Sequence, residues 1–348
     1  MPDSHSADYS PSASSKSWNA GWFQRHQEKL WWLHSLYGLL LGIGIMWLGA
    51  RQFTYLRVTV FYLGFIWLSS LFLPKLLDHP RLPARWAPRV RLAVNFFNKN
   101  FYQQMLFFVL PIYYASATLA SRNFVFVLLV GLSAVLSTLD LVYDRHLSVR
   151  RNLTAIFFAF NLFALINVML PVLWNVSSTW TTRISAVLAA IGFLTLYNPF
   201  WPSGRLRILF GMLVVLTLLA VVERGRSFIP PAPLRLVSAE FGGGIEPDSL
   251  RLEPAVNKLE PGRGLRLYGL TAIKAPLGLK DRVQHRWYRS GKLIWASPFY
   301  AMIGGRAQGF RLWTAYTFDA IAAGTELRLD LVTEGGQLIG RAGLKAGK

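Results

Sequence analysis

Between Trp31 and Val222 the chain carries seven apolar stretches, and beyond Pro233 the pattern changes to alternation of apolar and polar residues. An apolar run near twenty residues long matches the hydrocarbon thickness that a helix must cross. Period-two alternation instead puts one face of a strand in a core and the other in water. The order of the two patterns predicts an α-helical membrane bundle of about seven transmembrane helices. After it comes a small all-β, immunoglobulin-like sandwich.

The candidate spans are Trp31–Ala50, Leu56–Leu73, Phe101–Leu119, Phe124–Val142, Leu153–Trp174, Trp180–Tyr197 and Leu206–Val222. Residues 1–30 read as a disordered and interfacial tail, 31–226 as the membrane domain, 227–234 as a Pro-rich linker and 235–348 as the sandwich. The linker holds Pro230-Pro231-Ala232-Pro233, stiff enough to stand the next domain off the membrane. Composition agrees: 53% of residues are hydrophobic and 16% charged, where about 25% charge is usual in soluble domains. Cysteine is absent, which excludes disulfides, thiolate nucleophiles and Cys-ligated metal centres.

The net charge of +20 divides into +13 up to Arg226 and +7 after it. Most of the first group lies in short connections between apolar stretches, where cations hold topology and meet anionic lipid headgroups. No free-standing basic recognition module is present, so nucleic acid is not an expected partner. With the N-terminus inside, the inner segments hold 14 Lys and Arg against four in the outer loops. Seven crossings would then leave the N-terminus cytoplasmic and the tail domain periplasmic, in a multi-pass inner-membrane protein. The basic loop from Pro74 to Asn100 reads as an amphipathic surface helix.

Beyond the prolines, apolar residues alternate along Leu234, Leu236 and Ser238, then Leu265 and Leu267, then Val283, His285 and Trp287. They alternate again along Phe310, Leu312 and Thr314 and along Leu327, Leu329 and Leu331. Glycine turns separate these runs, as antiparallel hairpins require. Arg328 and Asp330, between the last leucines, read as a face that must sit in water.

The segments Gln284-His285-Arg286-Trp287, Ile303-Gly304-Gly305-Arg306 and Phe310-Arg311-Leu312-Trp313-Thr314 resemble the bacterial family catalogued as domain of unknown function 2914. Gly324-Thr325-Glu326-Leu327 and the stretch from Thr333 to Gly340 fit the same pattern, over residues 235–345. The resemblance implies a proteobacterial envelope protein whose β-rich tail follows an uncharacterised multi-helix membrane region. It implies no activity and no site residues.

No His-Glu-x-x-His, P-loop or Gly-x-Ser-x-Gly signature occurs, so no catalytic residue, metal site or cofactor is expected. His285 with Trp287 and Arg311 with Trp313 are each two apart, hence on one face of their strand. If those faces are adjacent and solvated, two indoles and two cations make a shelf for a sugar or an anion. The competing reading makes the tryptophans core, with His285 satisfied at its edge. In the helical part Asp140 and Asp144, four apart, could serve a proton or cation relay, or form a charge cluster at a helix end. Asn161 and Asn167 read as interhelical hydrogen-bond partners.

The expectation from these residues is a membrane protein that anchors or senses, with an exposed β domain binding an envelope glycan or protein partner. A small-molecule transporter with an accessory domain, or a membrane enzyme acting on a lipid-linked substrate, would instead need a polar path through the helices.

Overall fold

A computed structural model of the chain describes residues 105–139, 150–197, 204–246, 249–256 and 258–347, together with Leu36, Tyr37 and Leu40. The helical part comprises α1 (Met105–Ala115), α2 (Phe124–Thr138), α3 (Arg151–Trp174), α4 (Ser178–Tyr197) and α5 (Gly204–Arg224). A 3-10 turn over Arg226–Phe228 closes it. Small residues let α3 and α4 approach closely. A Cβ on Gly192 would lie 2.6 Å from Leu162 and 2.9 Å from the Phe158 ring, while Ala186, Ala189 and Ala190 are buried on the same helix. Across α1 and α3, Asn167 donates to the Tyr113 hydroxyl at 3.1 Å, and that hydroxyl donates to the Ala164 carbonyl at 2.8 Å.

The expected bundle of seven membrane helices is overturned. The described residues hold five α-helices, and two of them, within Asn152–Trp174 and over Gly204–Arg224, are long and apolar enough to cross a membrane. The 15 residues of α2 rise about 23 Å, short of a hydrocarbon core about 30 Å thick. The chain leaves α1 at Ser116 because residues 116–123 turn to meet the β domain. There Asn123, fully buried, donates to the Leu338 carbonyl at 3.0 Å. The first residue of α4 serves the same junction: the Ser178 N–H donates to the Asp281 carboxylate at 3.0 Å. The stretches Trp31–Ala50 and Leu56–Leu73 and the loop from Pro74 to Asn100 lie outside the described residues, save for the three isolated helical positions.

The β domain has two main antiparallel sheets. One has the order β1-β4-β8, from Arg235–Gly242, Gly262–Lys274 and Phe310–Ile321. The other has the order β10-β9-β5-β6, from Leu338–Lys345, Glu326–Thr333, Lys280–Arg289 and Lys292–Ala296, with β7 (Tyr300–Ile303) also paired to β5. Short strands β2 (Ile245–Glu246) and β3 (Arg251–Leu252) form a separate pair.

The inner faces of the two sheets pack on each other in layers. Leu267, Trp287, Phe318 and Leu329 form one apolar cluster, and Ile273, Val283, Leu312 and Leu331 form the other. Between them lie Thr271, His285 and Thr314, all buried. Gly269 makes room for the indole: a Cβ there would come 2.6 Å from Leu329 and 3.0 Å from Trp287.

The Pro-rich segment is not a spacer. Ile229 through Leu234 are buried without a break, and Gln337 donates to the Ile229 carbonyl at 3.1 Å. The sandwich therefore packs directly on the helix ends at residues 116–123, 175–178 and 225–234. Nor does Asp330 face water. It is 4% exposed, because the outer face of β9 meets the connection between α1 and α2, where Arg341 donates to the Ala120 carbonyl at 3.3 Å.

Candidate ligand-binding site of the β domain

The two residue pairs singled out by spacing part company in the fold. His285 and Trp287 point from β5 into the sandwich and are both 0% exposed. Arg311 and Trp313 point outward from β8, with Trp313 39% exposed. The four-residue shelf is therefore not formed, and only its second half reaches solvent. The reason is strand phase: Leu312 and Thr314 take the inward positions of β8, so their neighbours must face out.

His285 is satisfied at the centre of the sandwich rather than at its edge. Its Nε2 lies 2.9 Å from Thr271 Oγ1 and its Nδ1 lies 2.8 Å from Thr314 Oγ1. Trp287 Nε1 donates to the same Thr314 oxygen at 3.0 Å, and Thr271 Oγ1 donates to the Leu312 carbonyl at 3.4 Å. One assignment of protons satisfies every group: indole to Thr314, Thr314 to Nδ1, Nε2–H to Thr271, Thr271 to the carbonyl. It demands a neutral imidazole, and burial pushes His285 down to about 3. A buried imidazole held neutral, with both nitrogens engaged, has no free valence for a ligand.

The outward pair has different company. On the β4 strand beside it, Leu270 is opposite Trp313 and Ala272 opposite Arg311. Tyr268 lies against the Trp313 ring, centroids 6.0 Å apart, and the Arg266 guanidinium sits 5.2 Å over Tyr268. Arg311 donates to the Ser249 carbonyl at 3.1 Å and to Gln308 Oε1 at 3.2 Å. Both acceptors are uncharged. β8 is the edge of its sheet, and across the opening stand β6 and β7 of the other. The space between is a cleft of about 570 Å³, lined among others by Arg266, Trp295, Tyr300, Arg311 and Trp313, and by no carboxylate.

Spacing alone missed Arg266, Trp295 and Tyr300, because they come from strands whose neighbour across the gap is decided by sheet order. It also missed Thr271 and Thr314, whose pairing with His285 crosses from one sheet to the other. Among the helical candidates, Asn167 bridges α3 and α1 as described. Asn161 is buried, and its amide makes no hydrogen bond among the described residues. Asp140 and Asp144 lie outside the described residues. No group of three or more metal-ligating side chains occurs among the described residues.

Comparison with known proteins adds a family but no activity. No curated protein matches the chain. A family profile matches residues 14–271, from the N-terminal tail through most of β4. The match does not show the likeness of residues 235–345 to domain of unknown function 2914, since most of that region lies beyond it. It covers the helices, their junction and the first sheet strands, well over half of the 348 residues, and on that extent the chain belongs to the family of unknown function DUF5924.

Proposed function

We propose that the protein is held in a membrane by its apolar helices and presents the β domain at one membrane face, where the β6–β8 cleft binds a sugar or an acidic group of an envelope component. One observation carries the binding half of this reading. Arg266 and Arg311 stand beside exposed or half-buried aromatic rings in a cleft without a carboxylate. Guanidinium and indole together suit a ring with attached carboxylate or sulfate, through stacking and paired N–H donors.

The membrane half rests on α5. Of its 21 residues only Val222 is buried, while Ile208, Leu209, Met212, Leu213 and Leu216 are each more than half exposed. A contiguous apolar surface of that size is not tolerated in water. The β domain packs at the helix ends carrying Arg122, Arg183, Arg224 and Arg226, while Arg150, Arg151 and the first turn of α5 with Arg205 and Arg207 stand at the opposite ends. The described ends are balanced, so the periplasmic side for the β domain rests on the Lys and Arg count of the whole sequence, 14 against four.

The binding half is tested by titrating the full chain in neutral detergent with a uronic-acid oligosaccharide and with a muropeptide, using calorimetry. Saturable binding that Trp313→Ala and Arg311→Ala each weaken, with melting unchanged, is the expected result. Absence of heat for both probes at millimolar levels, or equal affinity in the variants, would count against the cleft. The side of the membrane is read by alkaline phosphatase and fluorescent reporters fused in turn after Lys348. An active phosphatase and a dark cytosolic reporter are expected.

A further inference from the structure

A second cleft, of about 690 Å³, lies where the β domain meets the helices. Strands β5, β9 and β10 form one wall, and the connection between α1 and α2 forms the other. Four guanidiniums line it, those of Arg122, Arg286, Arg328 and Arg341, against the single carboxylate of Asp330. That carboxylate is already engaged. Arg341 grips it through Nε at 2.7 Å and Nη2 at 3.0 Å, and Arg328 Nε stands 3.3 Å away.

Arg328 shares Asp330 with Arg341, and Arg122 and Arg286 are oriented without being neutralised. Arg328 sits 4.0 Å over the Tyr288 ring, and Arg122 sits 5.9 Å over Phe228. Arg286 donates to the uncharged Gln284 Oε1 at 3.1 Å. Four cations gathered around one committed anion leave a surplus of N–H donors aimed at a common space. An anion with several acceptor oxygens satisfies that surplus best, and phosphate matches the guanidinium fork.

The flank of the cleft is apolar. Leu119 in its wall is 68% exposed, and Phe228 below Arg122 is exposed too. The first turns of α2 then present Val125, Leu128 and Leu129 outward. A charged recess beside an apolar helix face fits an amphiphile, phosphate between the arginines and hydrocarbon along α2.

We propose that this junction cleft is a phosphate-binding site, occupied by the headgroup of an anionic membrane lipid. The lipid as source rests on the membrane placement given above; the phosphate site itself does not, and it is independent of the β6–β8 cleft. A bound headgroup would tie the β domain to the bilayer surface through both of its walls.

The test uses the full chain in neutral detergent, with phosphatidylglycerol, phosphatidylcholine or inorganic phosphate as the probe. Two readouts apply: retention of lipid by native mass spectrometry, and protection of individual arginines from phenylglyoxal. Retention of phosphatidylglycerol over phosphatidylcholine, with Arg122 and Arg286 protected, is expected. In Arg122→Gln/Arg286→Gln retention should fall roughly tenfold or more, as loss of charge-assisted bonds implies. Protection of the same arginines by inorganic phosphate but not by lipid would uphold the site and assign it to a free phosphate. No protection by any probe in the wild-type chain, or equal retention in the double variant, overturns the proposal. Should that variant misfold, the wild-type labelling decides alone. Membrane placement fails separately, in the partitioning of the chain itself.

Discussion

Asp281, near the start of β5, accepts the backbone N–H of Ser178, the first residue of α4, at 3.0 Å, although 103 residues separate them. The carboxylate of one domain thereby caps a helix of the other. Its second oxygen accepts the Arg282 N–H at 2.8 Å. Burial raises the Asp281 carboxyl above its ordinary range, and the N–H groups of Ser178 and Arg282 oppose that shift. The cap lets the helices and the sandwich behave as one body at this point.

Asp281→Ala should therefore act at the junction rather than inside either part. Loss of a helix cap costs about 1–2 kcal/mol. Limited proteolysis should show faster cleavage between Arg224 and Arg235 in the variant, with the β-domain core still resistant. Unchanged cleavage and melting would show that the cap is idle.

Gly269→Val should unfold the sandwich locally. The new side chain would enter space held by Leu329 and the Trp287 indole, which already stand 2.6 and 3.0 Å from where its Cβ would lie. Overpacking of this kind costs about 1–3 kcal/mol. A drop in melting temperature with loss of the near-ultraviolet tryptophan signal is the expected measurement, and full tolerance would contradict the packing.

Acid should destabilise the domain through His285. The unfolded chain takes up a proton near 6.5, whereas the folded imidazole resists until about 3. The depressed folded value means stability is complete above the unfolded value and is lost as pH falls between the two. The full slope for one proton is about 1.4 kcal/mol per pH unit. His285→Gln, which keeps a donor and an acceptor, should flatten the stability profile between pH 6.5 and pH 4 relative to wild type. Superimposable slopes for the two proteins would remove His285 from the account.

Leu213→Arg places a cation on the exposed side of α5. If that side meets lipid, insertion loses about 2.5–3.5 kcal/mol and the fraction of protein pelleting with membranes falls. A helix exposed to water would tolerate the change, and an unaltered pellet fraction would refute lipid contact.

Much of the local structure was legible in residues alone. The five described helices fall on apolar stretches, and the alternating runs at 283–287, 310–314 and 327–331 fall on β5, β8 and β9. Strand phase was legible too: Leu312 and Thr314 share one face, which leaves Arg311 and Trp313 on the other. The shelf and core readings of these pairs are separated by the same phase: His285 falls in step with apolar Val283, whereas Arg311 and Trp313 alternate with apolar positions. Helix number and reach were not legible. Apolar residues after α1, up to Leu119, read as span but belong to a turn that meets the β domain, and hydropathy does not distinguish lipid from protein as the neighbour.

The sequence by itself determined which segments are helix or strand and which face of each is apolar, because periodicity acts over a few residues. Only the tertiary structure decided that Asp281 caps α4, that the prolines are buried, and that arginines from one helix connection and three strands converge. Those contacts join residues far apart in the chain, and their partners follow from sheet order and domain docking, which no local pattern encodes.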